Sequence, residues 1–169
     1  MPHDDFRPGV RLGIDVGKAR IGVARCDPHG MLATPLETVA RRRDGSDVAR
    51  LVELARETDA FEIVVGLPLA LSGRVTESTE DARRFAVRLA SAADTGVRLV
   101  DERLSTVSAH SALRASGRSQ RSSRTIVDQV AAVVILQQAL DSERSTGRLP
   151  GASVEAEETP TPHESTPHE

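Results

Sequence analysis

Three acidic positions and one basic run carry the chemistry this sequence could perform. Asp15 sits inside VRLGIDV, residues 10–16, where strand alternation sets Arg11, Gly13 and Asp15 on one face and Leu12, Ile14 and Val16 on the other. Aspartate is depleted in strands because its short carboxylate competes for backbone groups and is costly to desolvate, so something must compensate it. Nearby turn amides are one solution, and a metal or catalytic role is the other. Asp101-Glu102 ends a second apolar run, residues 97–100. Neighbours on a strand point to opposite faces, so at most one of that pair can enter a shared site. Asp128 precedes VAAVVIL, residues 130–136, whose apolar character all round implies a buried helix. Thr125 to Asp128 fits a capping box, which would give that carboxylate a purely local task. A buried carboxylate would instead need a partner, and a shared cation is one.

From Arg103 to Val127 the chain has no carboxylate, while Arg103, Arg114, Arg118, Arg121 and Arg124 supply positive charge. Residues 115–124 are rich in Ser and Arg around Gly117 and read as a mobile loop between a helix over about 106–113 and the last helix. Phosphate suits the arginines, and a divalent cation suits the carboxylates that bound the segment. The remaining candidates are weaker. His3, His29, His110, His163 and His168 are scattered and make no ligand set, and only His110 lies near the basic run. Cys26 is the sole cysteine, which excludes an internal disulfide and any zinc site built on several thiolates.

The elements that must position these groups follow from patterning. Residues 10–16 and 21–24 flank Gly17-Lys18-Ala19-Arg20 as a hairpin. Residues 31–39 form a third strand interrupted by Pro35, as an edge strand can be. A helix capped by Asp44 or Ser46 buries Val48, Leu51, Val52 and Ala55. FEIVVG, residues 61–66, is a short strand buried on both faces, and the Gly66-Leu67-Pro68-Leu69 turn at its end is a candidate wall of a site. A capping box over Ser78 to Asp81 starts a helix that buries Ala82, Phe85, Ala86 and Leu89. The order is three antiparallel strands, helix, strand, helix, strand and two helices. The expected fold is α/β, a five-stranded mixed sheet with three antiparallel and then two parallel strands, flanked by helices.

A chain of 169 residues suggests one domain, able to bury about 68 to 70 % of its unfolded surface without staples. Residues 1–9 read as a loose leader, 10–144 as the folded domain and 145–169 as an acidic tail too polar to order itself. Five of the 25 acids lie beyond residue 150 with no base among them, so the chain before that carries a slight positive excess. All basic residues but Lys18 are Arg, whose planar fork suits phosphate, although a GC-rich genome gives the same bias. Phe6, Phe61 and Phe85 are the only aromatics. That is too few for a protein that stacks single-stranded bases, so a nucleic-acid partner would be read by backbone and shape. No signal peptide or membrane-spanning run is present, which together with the single cysteine points to the cytoplasm and to no membrane partner.

Four motifs in order carry a resemblance: Gly13-Ile14-Asp15-Val16-Gly17 with Ile21-Gly22-Val23-Ala24, Val65-Gly66-Leu67-Pro68-Leu69, Asp101-Glu102-Arg103-Leu104-Ser105-Thr106, and Val127-Asp128-Gln129-Val130-Ala131-Ala132. Together they resemble the YqgF family, described both as Holliday junction resolvases and as pre-16S rRNA nucleases. The resemblance implies an RNase H-like fold related to RuvC and a nuclease of ribosome biogenesis. It also implies a catalytic and metal-binding set of Asp15, Glu102 and Asp128. With that set goes metal-dependent phosphodiester hydrolysis with Mg²⁺ or Mn²⁺, and substrate-binding roles follow for Arg103, Arg118, Arg121 and Arg124. The chain departs from the family's commonest pattern at Lys18-Ala19, at Ser72-Gly73 and in carrying Arg at 121 and 124 where Lys is frequent. Precursor rRNA and branched DNA both fit as substrates, and a homodimer is compatible with either. Two rivals use the same residues: a nucleotide-binding half of an actin-like ATPase, and a non-catalytic nucleic-acid-binding module.

Overall fold

The computed structural model describes residues 5–102 and 120–156. Six strands form one sheet in the order β3-β2-β1-β4-β5-β6. Strands β1 (Arg11–Val16), β2 (Arg20–Cys26) and β3 (Ala33–Ala40) make an antiparallel meander. After helix α1 (Ser46–Glu57), β4 (Glu62–Leu67) returns parallel to β1. After helix α2 (Glu77–Ala92), β5 (Gly96–Asp101) lies parallel to β4. Helix α3 (Gln120–Thr146) follows, and β6 (Ala152–Val154) closes the sheet antiparallel to β5.

Period-two alternation divides the core into two layers. Leu12, Ile14, Ile21, Val23, Ile63, Val65 and Val97 pack with Leu51, Val52, Phe85 and Leu89 of α1 and α2. On the opposite face Ala24, Cys26 and Val64 meet Ala132, Ile135, Leu136, Ala139 and Leu140 of α3. The sheet residues under α3 are small, and this lets the helix approach closely. At Gly13 an added Cβ would lie 2.6 Å from the Leu136 Cβ, and at Gly22 it would lie 1.9 Å from the Asp128 carbonyl oxygen. Pro35 sits on the edge strand β3 as expected, at a register shift that leaves Leu36 without an opposite residue on β2.

A buried ionic cluster fixes the other end of α3. Glu143, 1 % exposed, bonds Arg11 of β1, itself 1 % exposed. Arg7 bridges Glu143 and Glu62 of β4, its Nε lying 2.8 Å from Glu143 Oε1 and its Nη1 2.9 Å from Glu62 Oε2. Phe6 and Phe61 each cover the Arg11 guanidinium, with ring centroids 4.9 Å away. Such a cluster gains little net stability, but it specifies where the helix lies and leaves an uncompensated charge if broken.

Several sequence expectations are corrected here. The sheet has six strands rather than five, because β6 falls inside the segment read as an unordered tail. Arg98 of β5 holds that return, donating to the carbonyls of Pro150 at 2.6 Å and Gly151 at 3.1 Å. Residues 6 and 7 are packed, not loose, because the cluster around Arg11 needs them. Helix α2 is capped two residues earlier than expected, by a Thr76/Thr79 box. Helix α1 follows a left-handed Gly45, with Asp44 accepting the Ser46 amide at 3.0 Å. Helix α3 already begins at Gln120, so the latter part of the expected mobile loop is helical. The expected helix over 106–113, residues 115–119 of that loop, and residues 157–169 of the tail lie outside the described residues.

Candidate active site

Asp15 lies one residue from the end of β1 on the face that α3 covers. Its partner across the antiparallel ladder is Gly22. Because Gly22 has no side chain, the α3 backbone passes directly over it at Asp128, which sets Asp128 beside Asp15. Asp128 is the ninth residue of α3, two turns in, so the helix-capping role that Thr125 to Asp128 suggested does not apply. Its carboxylate accepts from Arg20, Nε to Oδ2 2.9 Å.

Glu102 follows the last residue of β5, and its amide donates to the Leu67 carbonyl. It is 8 % exposed while Asp101 is exposed, so the pair divides between the two faces as alternation requires. Strand β4 separates β5 from β1, and the two acids therefore come from strands that are not neighbours. Gly66 at the end of β4 closes the distance: an added Cβ there would sit 2.3 Å from Glu102 Oε2 and 2.5 Å from Ile135 Cδ1. The Glu102 side chain thus lies across β4 toward Asp15.

The electrostatics report the same convergence. Burial first, and the neighbouring Asp128 charge second, push the Asp15 carboxyl up to about 7. Burial, then the Asp15 and Asp101 charges, push Glu102 up to about 8. Two partly or wholly buried carboxylates therefore face each other without compensation. Among the described residues no cation reaches either, and no three His, Cys, Asp or Glu side chains stand close enough to enclose a metal ion. The donor set consists of hard carboxylate oxygens, which suits Mg²⁺ or Mn²⁺.

The arginines expected to touch substrate are placed only in part. Arg103, Arg118 and His110 lie outside the described residues. Arg121 and Arg124 fall in the first turns of α3, two turns or less before Asp128, and only their backbone is described. Lys18, at the exposed hairpin tip, lines a cavity of about 420 Å³ with Glu77, Ser78, Glu80, Asp81 and Arg84 at the start of α2. Ser72 is exposed. Arg20 and the two glycines under the acids escape notice when only acids and loop arginines are weighed. The signal for Arg20 was present: alternation along β2 places it on the same face as Gly22.

A profile of the RuvX family, described as Holliday junction resolvase, matches residues 9–142. The chain belongs to the RuvX family. The match covers all four motifs that carry the resemblance to YqgF, which is the same family. This RuvX-family chain is 64 % identical over 150 residues to a protein of Clavibacter sepedonicus named "Putative pre-16S rRNA nuclease", covering 88 % of this chain and 93 % of that one. A protein of the same name from Streptomyces coelicolor is 53 % identical over 151 residues, covering 89 % and 90 %. Among solved structures, T. thermophilus RuvC in complex with a Holliday junction substrate superposes with a TM-score of 0.51. It covers 82 % of this chain and 97 % of that one at 18 % identity, a likeness of fold alone. The RuvC-like, RNase H-like architecture expected from the motifs is the one observed.

Proposed function

We propose that this protein is a divalent-metal-dependent nuclease that hydrolyses a phosphodiester bond during maturation of the 16S rRNA 5′ end. The observation that carries the proposal is the burial of Asp15 and Glu102 against each other beside Asp128, which makes ionising them costly and would let a bound cation relieve that cost. The names of its relatives supply the substrate class. Asp15, Glu102 and Asp128 would hold the ion through carboxylate oxygens. A bound Mg²⁺ or Mn²⁺ supplies the positive charge that acidifies an attacking water and stabilises the leaving oxygen.

The chain's own residues do the rest. The rigid end of β1 fixes Asp15, while Gly66 and the β5 end aim Glu102 across the sheet. Helix α3, pinned at Glu143 and at Gly22, fixes Asp128. The arginines at 103, 118, 121 and 124 would grip the phosphate backbone. The RuvX match over residues 9–142 favours the nuclease reading over an actin-like ATPase. The cytoplasm, where ribosomes assemble, is the compartment this function requires.

The test is a cleavage panel with precursor 16S ends and four-way DNA junctions, each with Mg²⁺, Mn²⁺ or excess EDTA. We expect cleavage at the rRNA 5′ end that EDTA abolishes and that Asp15→Asn or Glu102→Gln lowers by at least 10²-fold with RNA binding retained. Full cleavage by either variant would overturn the role of these carboxylates, and RNA binding without cleavage by the wild type would leave only a binding module. Cleavage confined to the junction would make the protein a resolvase.

A further inference from the structure

Among the described residues, Arg20 is the only cation within ion-pair distance of any of the three carboxylates. Its place follows from the local sequence. Arg20 and Gly22 share a face of β2, and the bare Gly22 brings the α3 backbone down at Asp128. Arg20, next outward along the strand, therefore meets the Asp128 side chain, with 2.9 Å between Nε and Oδ2. The pair lies near the surface, the Asp128 side chain 16 % and the Arg20 side chain 37 % exposed, so it has room to open. An asymmetry results among the described residues: the outer acid of the set has a counter-ion, and the inner two have none.

Resting on the nuclease function proposed above, we infer that Arg20 is a positioning residue that holds Asp128 as an internal counter-ion. It competes with a divalent cation for that carboxylate and, once released, turns to the scissile phosphate. Arginine keeps its charge at any working pH, so a guanidinium that leaves Asp128 needs a new anion. A phosphate fits, because its oxygens match the planar fork. Charge is conserved at each exchange: the cation takes the carboxylate that Arg20 gives up, and the phosphate takes Arg20. Metal and nucleic acid then favour each other reciprocally, as linked ligands must.

The experiment follows Mn²⁺ binding by the electron paramagnetic resonance of the free ion, without nucleic acid. It compares the full chain with Arg20→Gln, Arg20→Lys, Asp128→Asn and the double variant Arg20→Gln/Asp128→Asn, each checked for folding by circular dichroism. Arg20→Gln should bind Mn²⁺ about 3- to 10-fold more tightly, because a near-surface competitor is gone. Arg20→Lys should fall between the two, since it keeps the charge without the fork. In the Asp128→Asn background the Gln substitution should change nothing, which a merely structural role for Arg20 would not produce. At saturating Mn²⁺, Arg20→Gln should lower kcat at least tenfold on precursor RNA, with partial recovery in Arg20→Lys. Equal or weaker Mn²⁺ binding by Arg20→Gln, with cleavage intact, overturns the role of Arg20 and leaves the nuclease function standing. Absence of Mn²⁺ binding in every variant overturns both.

Discussion

Neutralising Asp15 should stabilise the metal-free protein while destroying its activity. The carboxyl titrates at about 7 in the folded chain, against about 4 in an unfolded one. For an acid raised in this way, the unfolded state gives up its proton first as pH rises. The penalty on folding therefore builds from about pH 4 and is complete above about pH 7. Three units at about 1.4 kcal/mol each set an upper bound of roughly 4 kcal/mol. Asp15 is not fully enclosed and keeps part of its hydration, so we take about half, roughly 2 kcal/mol. For a chain of this length that corresponds to roughly 4 to 8 °C in Tm. Thermal unfolding of wild type and Asp15→Asn in a chelating buffer is the assay. At pH 8 the Asn variant should melt 4 to 8 °C higher, and by pH 5 the gap should shrink to about a third. Millimolar Mn²⁺ at pH 8 should raise the wild type and leave the variant where it was. Equal melting temperatures at pH 8, or a gap indifferent to pH, would refute the claim that these acids are buried together without compensation.

Other substitutions probe how the acids are aimed. Gly66→Ala meets only the ends of flexible side chains, Glu102 Oε2 and Ile135 Cδ1, so the fold should hold to within about 1 kcal/mol in urea unfolding. The displaced Glu102 should nevertheless cut cleavage by at least tenfold. Gly22→Ala meets the Asp128 carbonyl oxygen on a helix backbone, which cannot move alone, and should destabilise by about 1 to 3 kcal/mol as well as inactivate. Glu143→Gln strands the buried Arg11 guanidinium and should lower unfolding free energy by about 3 to 5 kcal/mol, although it lies at the opposite end of α3 from the acids. Removing residues 147–169 deletes β6 and the acceptors of Arg98. The shortened chain should melt a few degrees lower, with cleavage at permissive temperature unchanged.

Local pattern was enough to place much of this architecture. Alternation in residues 10–16 put Asp15 on the opposite face from Leu12, Ile14 and Val16, and those three do pack under α1 and α2. The same rule separated Glu102 from Asp101. Pro35 marked an edge strand because a proline has no amide to donate to a neighbour on that side. The four motifs carried the family because their order and spacing survive without any knowledge of contacts.

Tertiary structure decided the rest. The tail looked too polar to order itself, and its own composition would not have ordered it; β6 forms because the open edge of β5 and the guanidinium of Arg98 offer it partners. Phe6 and Arg7 looked loose because their partners Arg11, Glu62 and Glu143 lie 4 to 136 residues away in sequence. The local sequence leaves Asp128 open between a helix cap and a buried carboxylate that needs a partner, and only the start of α3 two turns earlier decides against the cap. The site itself depends on glycines under a helix: Gly22 and Gly66 look like ordinary strand residues, and only the tertiary packing shows that Gly22 clears a place for the α3 backbone at Asp128 and Gly66 one for the Glu102 carboxylate. Sequence determines which atoms can hold charge and which way each strand turns them. How near they come to one another is set by the packing of elements far apart in the chain, which short-range pattern does not encode.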